Sequence, residues 1–225
     1  QGASAPSGGA EARHPVRFAL WTHAQELCRA SNTGKLMLGA LPEGCCELFV
    51  HGMPGEAERL HGALEAAGGR AYVLYPSPEA APVAEALAPA PREGLAEGPS
   101  PPALVVLIDG TWHQAKRMRK ALEGLPHVAL GGGTLASRFG WRRQSEAHRV
   151  TTAEAAAALL EELHGGPGGA ARHGGSDPQV LRWAEALRTA VAMLDEALRS
   201  QSHYSKDFLE PREPWQERQL AHMLA

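Results

Sequence analysis

Cysteine is scarce, with only three in 225 residues. Cys28 stands alone, and Cys45 and Cys46 are adjacent. No disulfide framework reads out of that set. Free thiols of a reducing compartment are the expectation, and with them a cytoplasmic location. No Cys-x-x-Cys pair occurs, so a four-ligand zinc site of normal spacing is excluded. His23-x-x-Glu26 would share a helical face, but two ligands are too few, and no metal is expected. No apolar run approaches the ~18–20 residues of a membrane span, which excludes a membrane-embedded function. Residues 1–13 are small and polar and lack the apolar stretch of a signal peptide; they read as a flexible tail. A strong charge of either sign is lacking too, at −3 overall.

The apolar share of 44% supports a real core. The length allows one large domain, or a domain with an appendage. Charge is uneven along the chain. Between Asp109 and Thr151 lie Lys116, Arg117, Arg119, Lys120, Arg138, Arg142, Arg143 and Arg149, against Asp109, Glu123 and Glu146. A local basic face binds polyanions even when the whole molecule is slightly acidic. A merely solvated helix face is the plain alternative for 116–120.

Strand-like runs at 16–21, 35–41, 47–50, 71–75, 103–108 and 127–130 alternate with helix-like runs at 22–30, 56–67, 78–87, 112–123 and 151–164. That alternation predicts an α/β fold, a mainly parallel sheet flanked by helices. Thr152 is the expected N-cap of the helix near 151, and Gly68-Gly69 the stop of the helix over 56–67. Five prolines in 88–102 mark a surface connection. The expected organisation is a tail over 1–13, a main domain over 14–164, a Gly-rich linker over 165–176 and a C-terminal helical extension over 177–225 packing on the core. That extension opens on Asp177 as cap and runs as a long helix to about Ser200. The order of the strands does not follow from the sequence.

The most informative stretch is the apolar run 104–108 ending in Asp109-Gly110-Thr111-Trp112, followed at once by an amphipathic basic helix. Strands that stop at a carboxylate, a glycine and a helix start build ligand sites at sheet ends. Other segments accompany it in order. They are His23-x-x-Glu26 with Asn32-Thr33-Gly34, then Tyr75-Pro76-Ser77, then Ser137-Arg138 with Arg142-Arg143-Gln144 and Thr151-Thr152-x-Glu154-Ala155. The set resembles the DTW-domain family and covers about two-thirds of the chain. The resemblance implies a relation to the knotted SPOUT-type α/β domains. It also implies an activity: transfer of the 3-amino-3-carboxypropyl group of S-adenosylmethionine to N3 of a uridine, with tRNA as partner and rRNA as the other candidate. Many members begin with a cysteine-rich segment of metal-ligand type, which has no counterpart here.

The residues then acquire candidate roles. A carboxylate at a strand end can take the N3 proton, which makes Asp109 the candidate base; the alternative is that it caps the next helix. Gly110, Thr111 and the following N–H groups could hold the cofactor's carboxylate. Trp112 would stack on an adenine or a base, or pack in the core. Asn32, Thr33 and Gly34 form a turn by composition, and the resemblance adds cofactor binding. The same holds for Tyr75, Pro76 and Ser77 after a strand, and the resemblance extends the cofactor site to Thr151, Thr152 and Glu154. Lys116, Arg117, Arg138, Arg142 and Arg143 are the candidate RNA contacts, the loop arginines being interleaved with Phe139 and Trp141. His113 is a possible proton relay or a structural histidine.

Two local likenesses fail. The phosphatase pattern Asp-x-Asp-Gly-Thr would put its nucleophile at Leu107, which cannot form an aspartyl phosphate. Gly131-Gly-Gly-Thr134 lacks the lysine of a phosphate-binding loop. The alternatives that remain are a SPOUT-like RNA methyltransferase and a non-catalytic RNA-binding or ribosome-assembly module.

Overall fold

A computed structural model describes residues 16–88, 102–131, 137–141, 150–164 and 177–208, with side chains to Gln201. Arg142, Arg143, the expected tail and the expected linker lie outside the described residues. The elements are β1 (Val16–His23), α1 (Ala24–Leu27), a 3-10 turn (Gly34–Leu36), α2 (Met37–Ala40), β2 (Cys46–His51), α3 (Glu56–Ala66), β3 (Ala71–Leu74) and β4 (Ala81–Pro82). They continue with α4 (Val83–Ala86), β5 (Ala103–Asp109), α5 (Trp112–Met118) with a 3-10 extension (Arg119–Leu122), β6 (His127–Ala129), α6 (Thr152–His164) and α7 (Pro178–Phe208).

The six strands form one sheet in the order β2-β1-β5-β3-β6-β4, and every pairing is parallel. The α/β expectation therefore holds. β5 is buried along nearly its whole length, which is why it reads as an unbroken apolar run rather than an alternating one. The two-residue period of a strand sorts the core into two halves. Phe18, Leu20, Val105 and Leu107 face α2, α4, α6 and α7, whose Met37, Val83, Leu160 and Leu187 are buried with them. Ala19, Trp21, Leu104 and Val106 face the other way, against Leu60 of α3 and Met118 of α5.

β1 and β5 are neighbours, but the chain leaves them in opposite directions. From β1 it goes outward to β2, through α1 and α2. From β5 it goes the other way, past β3 to β6, through α5. Right-handed crossovers in opposite directions put their helices on opposite faces. Met37 of α2 and Met118 of α5 accordingly lie in opposite core halves. Between such strands a crevice opens at the carboxyl ends, the usual ligand position of an open α/β sheet.

Several local expectations are corrected. The strand expected over 35–41 is replaced by the 3-10 turn to Leu36 and by α2 over Met37–Ala40, with Leu41 just past its end. The Lys, Leu, Met and Ala of this stretch are good helix formers with no β-branched residue, and the two buried members, Met37 and Leu41, are four apart. The helix expected over 22–30 shrinks to Ala24–Leu27, because β1 stays paired as far as His23. Of the helix expected over 78–87 only Val83–Ala86 forms; Ala81–Pro82 adds an edge strand, where proline is tolerated. The regular part of the helix after Trp112 ends at Met118. α7 runs on past the expected stop to Phe208, and Asp177 does accept a bond from the Gln179 N–H at its start.

Candidate active site

Asp109 ends β5 and is only 6% exposed. Its Oδ2 accepts a 2.6 Å hydrogen bond from Asn32 Nδ2, and its Oδ1 accepts one of 2.7 Å from the Thr152 hydroxyl. Asn32 is itself oriented by the turn it starts, since its Oδ1 accepts from the Lys35 N–H at 2.9 Å. That bond settles which end of the amide faces the carboxylate. The third member of the turn, Gly34, lies against Asp109. A Cβ there would stand 2.9 Å from the carboxylate carbon. Across the strand pair, Thr22 is the register partner of Asp109. Three segments far apart in sequence thus meet at the carboxylate: the turn after β1, the end of β5 and the start of α6.

Burial raises the Asp109 pKa above the ordinary carboxylate range. The Thr152 and Asn32 hydrogen bonds oppose that, and the negative charge of the buried Glu26 adds to it. Glu26 is paired with Arg29 at 3.0 Å. A carboxylate raised in this way holds a proton better than one in water, which is what a base needs.

The helix after Asp109 is not capped by it. Thr111 accepts from the Gln114 N–H at 3.3 Å, and Gln114 Oε1 accepts from the Thr111 N–H at 2.7 Å, a complete capping box. The cap alternative for Asp109 is thereby corrected, and the carboxylate is left for Asn32 and Thr152. The N-cap of α6 is corrected as well. Thr151 accepts from the Glu154 N–H at 3.4 Å, while Thr152 reaches Asp109. Gly110 packs closely, with room for a Cβ only 3.2 Å from Gln114 Cβ.

Glu154 is 3% exposed and acts as a buried anchor. Its Oε1 accepts from the Arg138 N–H at 2.7 Å. Its Oε2 accepts from the Ser137 hydroxyl at 2.7 Å and from the Thr151 N–H and hydroxyl, both at 2.9 Å. Phe139, next along, is buried, whereas Arg138 and Trp141 are exposed.

On the other side of β5, the Tyr75 ring lies 6.3 Å from that of Trp112 and 5.7 Å from His127. The Arg119 guanidinium sits 5.2 Å over the same ring. Ser77 Oγ is 2.8 Å from His127 Nδ1, and Pro76 is exposed between them. Trp112 is 42% exposed, so the core-packing alternative for it is corrected. Lys116 and Arg117 are exposed on α5. They diverge: Arg117 lies near His51, whose pKa is lowered by burial, by His23 and by Arg117 itself. No local sequence pattern assigns His127, Arg119 or Thr22 to the site, because only the strand order shows that they adjoin Tyr75 and Asp109. Among the described residues no cluster of His, Cys, Asp and Glu could hold a metal, and no helix is long and apolar enough to cross a membrane.

A family model described as the DTW domain matches residues 7–194. The chain is also similar to tRNA-uridine aminocarboxypropyltransferase 2 of Mus musculus, with 27% identity over 143 residues, 63% of this chain and 45% of that protein. The matched stretch thus spans less than half the length of that relative. No solved structure matches the chain significantly.

Proposed function

The chain belongs to the DTW-domain family, and from that premise we propose that it is a tRNA-uridine aminocarboxypropyltransferase using S-adenosylmethionine. The observation that carries the reading is the buried carboxylate of Asp109. It is clamped between Asn32, Gly34 and Thr152 at the crevice between strands whose crossovers diverge. The name of the mouse relative supports the choice of transferred group and of tRNA.

S-adenosylmethionine supplies an electrophilic carbon beside a sulfonium. Uridine N3 forms the new bond to that carbon, the carbon–sulfur bond breaks, and methylthioadenosine leaves with the electron pair. The N3 proton passes to Asp109. Two of the four lone-pair positions of its carboxylate are used by Asn32 and Thr152, which leaves acceptor capacity for it. The cofactor is a net cation at its reacting end, and the buried carboxylates Asp109 and Glu26 give the crevice the opposite sign. We assign the turn Asn32, Thr33 and Gly34, with Thr152, to that end. The flat faces of Tyr75 and Trp112, with Pro76 and Ser77, suit a purine or a pyrimidine. Glu154 and Thr151 position the 137–139 segment, and Gly110 and Thr111 position the start of α5. Arg138, Lys116 and Arg117 supply positive charge along the RNA path.

The test is incubation of the protein with S-adenosylmethionine and unmodified bulk tRNA, followed by mass spectrometry of both products. Methylthioadenosine with a matching mass gain on uridine is expected. S-adenosylhomocysteine would overturn the reading in favour of methyl transfer, and transfer to rRNA alone would move the substrate.

A further inference from the structure

We propose that the basic pocket beside the reaction centre binds the phosphate and base of an RNA nucleotide next to the target uridine. The pocket, of about 520 Å³, is lined by Lys116, Arg119, Lys120 and His127, with Glu79 and Glu123 in the same lining. This rests on the RNA-substrate reading above and says which surface takes the strand.

Lys116, Arg119 and Lys120 stand at i, i+3 and i+4, so they share one face of α5 and its 3-10 extension. Arg117 lies off that face, near His51. A basic helix face is ordinarily just solvated, but this one is joined to an aromatic wall. Arg119 is stationed over Tyr75, and Tyr75 bridges Trp112 and His127. Three cations against two carboxylates select an anion. A cationic sulfonium compound would be repelled, so the pocket is not a second lobe for the cofactor. The exposed ring of Trp112, joined to the cations through Tyr75, selects an anion that also carries flat bases. Single-stranded nucleic acid combines the two. Trp112 follows Asp109 by three residues, at most about 11 Å of chain. A uridine at Asp109 therefore has its neighbour within reach of Trp112.

The experiment is equilibrium filter binding of unmodified bulk tRNA to the full chain across a salt series. Lys116, Arg119 and Lys120 are all exposed, so changing the three together to Ala leaves the fold intact by circular dichroism. The expected result is a log–log salt slope smaller by ~0.7, the increment for the one phosphate no longer neutralised. Arg182→Ala, on the exposed side of α7, leaves the slope unchanged. Trp112→Ala weakens binding by roughly 5- to 150-fold, and Trp112→Phe restores most of it. An unchanged slope in the triple variant, with wild type binding tRNA, overturns the pocket and leaves the proposed activity standing. A reduced slope in a protein that transfers nothing from S-adenosylmethionine supports the pocket and overturns the activity. Displacement of tRNA by polyglutamate as readily as by polyuridylate overturns the assignment to RNA.

Discussion

Asp109 and Gly34 form one unit. Asp109→Asn preserves shape, and its hydrogen bonds can adapt. The amide oxygen can accept from Asn32, and the amide nitrogen can donate to Thr152, whose hydroxyl both gives and takes. The variant folds, and transfer falls by about 10²- to 10⁴-fold, the range for losing a general base, while binding of S-adenosylmethionine by calorimetry persists. Equal turnover would remove Asp109 from the chemistry. The pH dependence has a definite sign. Burial raises the Asp109 pKa, so kcat/KM for wild type climbs as pH rises through that raised value and the carboxylate ionises. Stability runs the other way. The folded state holds this proton more tightly than the unfolded chain does, so its contribution is full below the unfolded pKa and is lost as pH rises through the folded one. Asp109→Asn therefore gains stability relative to wild type as pH increases, measurable as a growing difference in Tm. Gly34→Ala tests the same contact from the opposite side. Gly34 does not have a positive φ, so the objection to a side chain is space alone. A Cβ 2.9 Å from the carboxylate forces the turn or Asp109 to move. The expected cost is ~1–3 kcal/mol in urea unfolding, together with loss of transfer.

The start of α6 organises the site without being spread along the sequence as a pattern would be. Glu154 collects four hydrogen bonds from Ser137, Arg138 and Thr151. In Glu154→Ala those part-buried donors lose their acceptor, at a cost of ~1 kcal/mol or somewhat more. Hydrogen exchange should show the Arg138 amide losing protection while amides in β5 keep theirs; retained protection at Arg138 would mean the segment is held by Phe139 instead. Elements differ in how legible they are. β5, buried on both faces, declares itself by an unbroken apolar run, and α3 by its length and its glycine stop. Residues 35–41 mislead because a short apolar run fits a strand or a buried helical turn equally well. Thr151 and Thr152 mislead because either can cap, and only the approach of Asp109 separates them. The carboxylate of the site is legible in Asp-Gly-Thr-Trp; its partners Asn32 and Thr152 come from the family likeness, not from any local pattern.

For the whole molecule, the parallel sheet follows from alternating strands and helices, but the insertion of β5 between β1 and β3 does not. Strand order depends on pairings between segments far apart in the chain, which local periodicity does not encode. The same limit applies to α7. As sequence it reads as an extension beyond a glycine-rich linker that packs on the core, without showing which of its residues do so. In the fold its Val180, Trp183, Leu187 and Val191 share one buried cluster with Phe18, Leu20, Val105 and Leu107 of the sheet, reached across α6. Arg188 and Glu161 join the two helices by a paired hydrogen bond at 2.6 and 2.5 Å. Two outcomes follow from two pictures. A separately folding extension would melt in its own transition, and Trp183 fluorescence would part from the circular dichroism of the sheet. A shared core unfolds as one unit, with both probes coincident. The second outcome is expected in urea. Leu187→Ala should then shift both probes together by ~2–5 kcal/mol, as deletion of a fully buried leucine does. Its effect should reach the amides of β1 and β5 in hydrogen exchange, since opening α7 strips the outer cover from α6, which packs on the strand that carries Asp109. A shift confined to Trp183, with the sheet unmoved, would make α7 an appendage and the site independent of it.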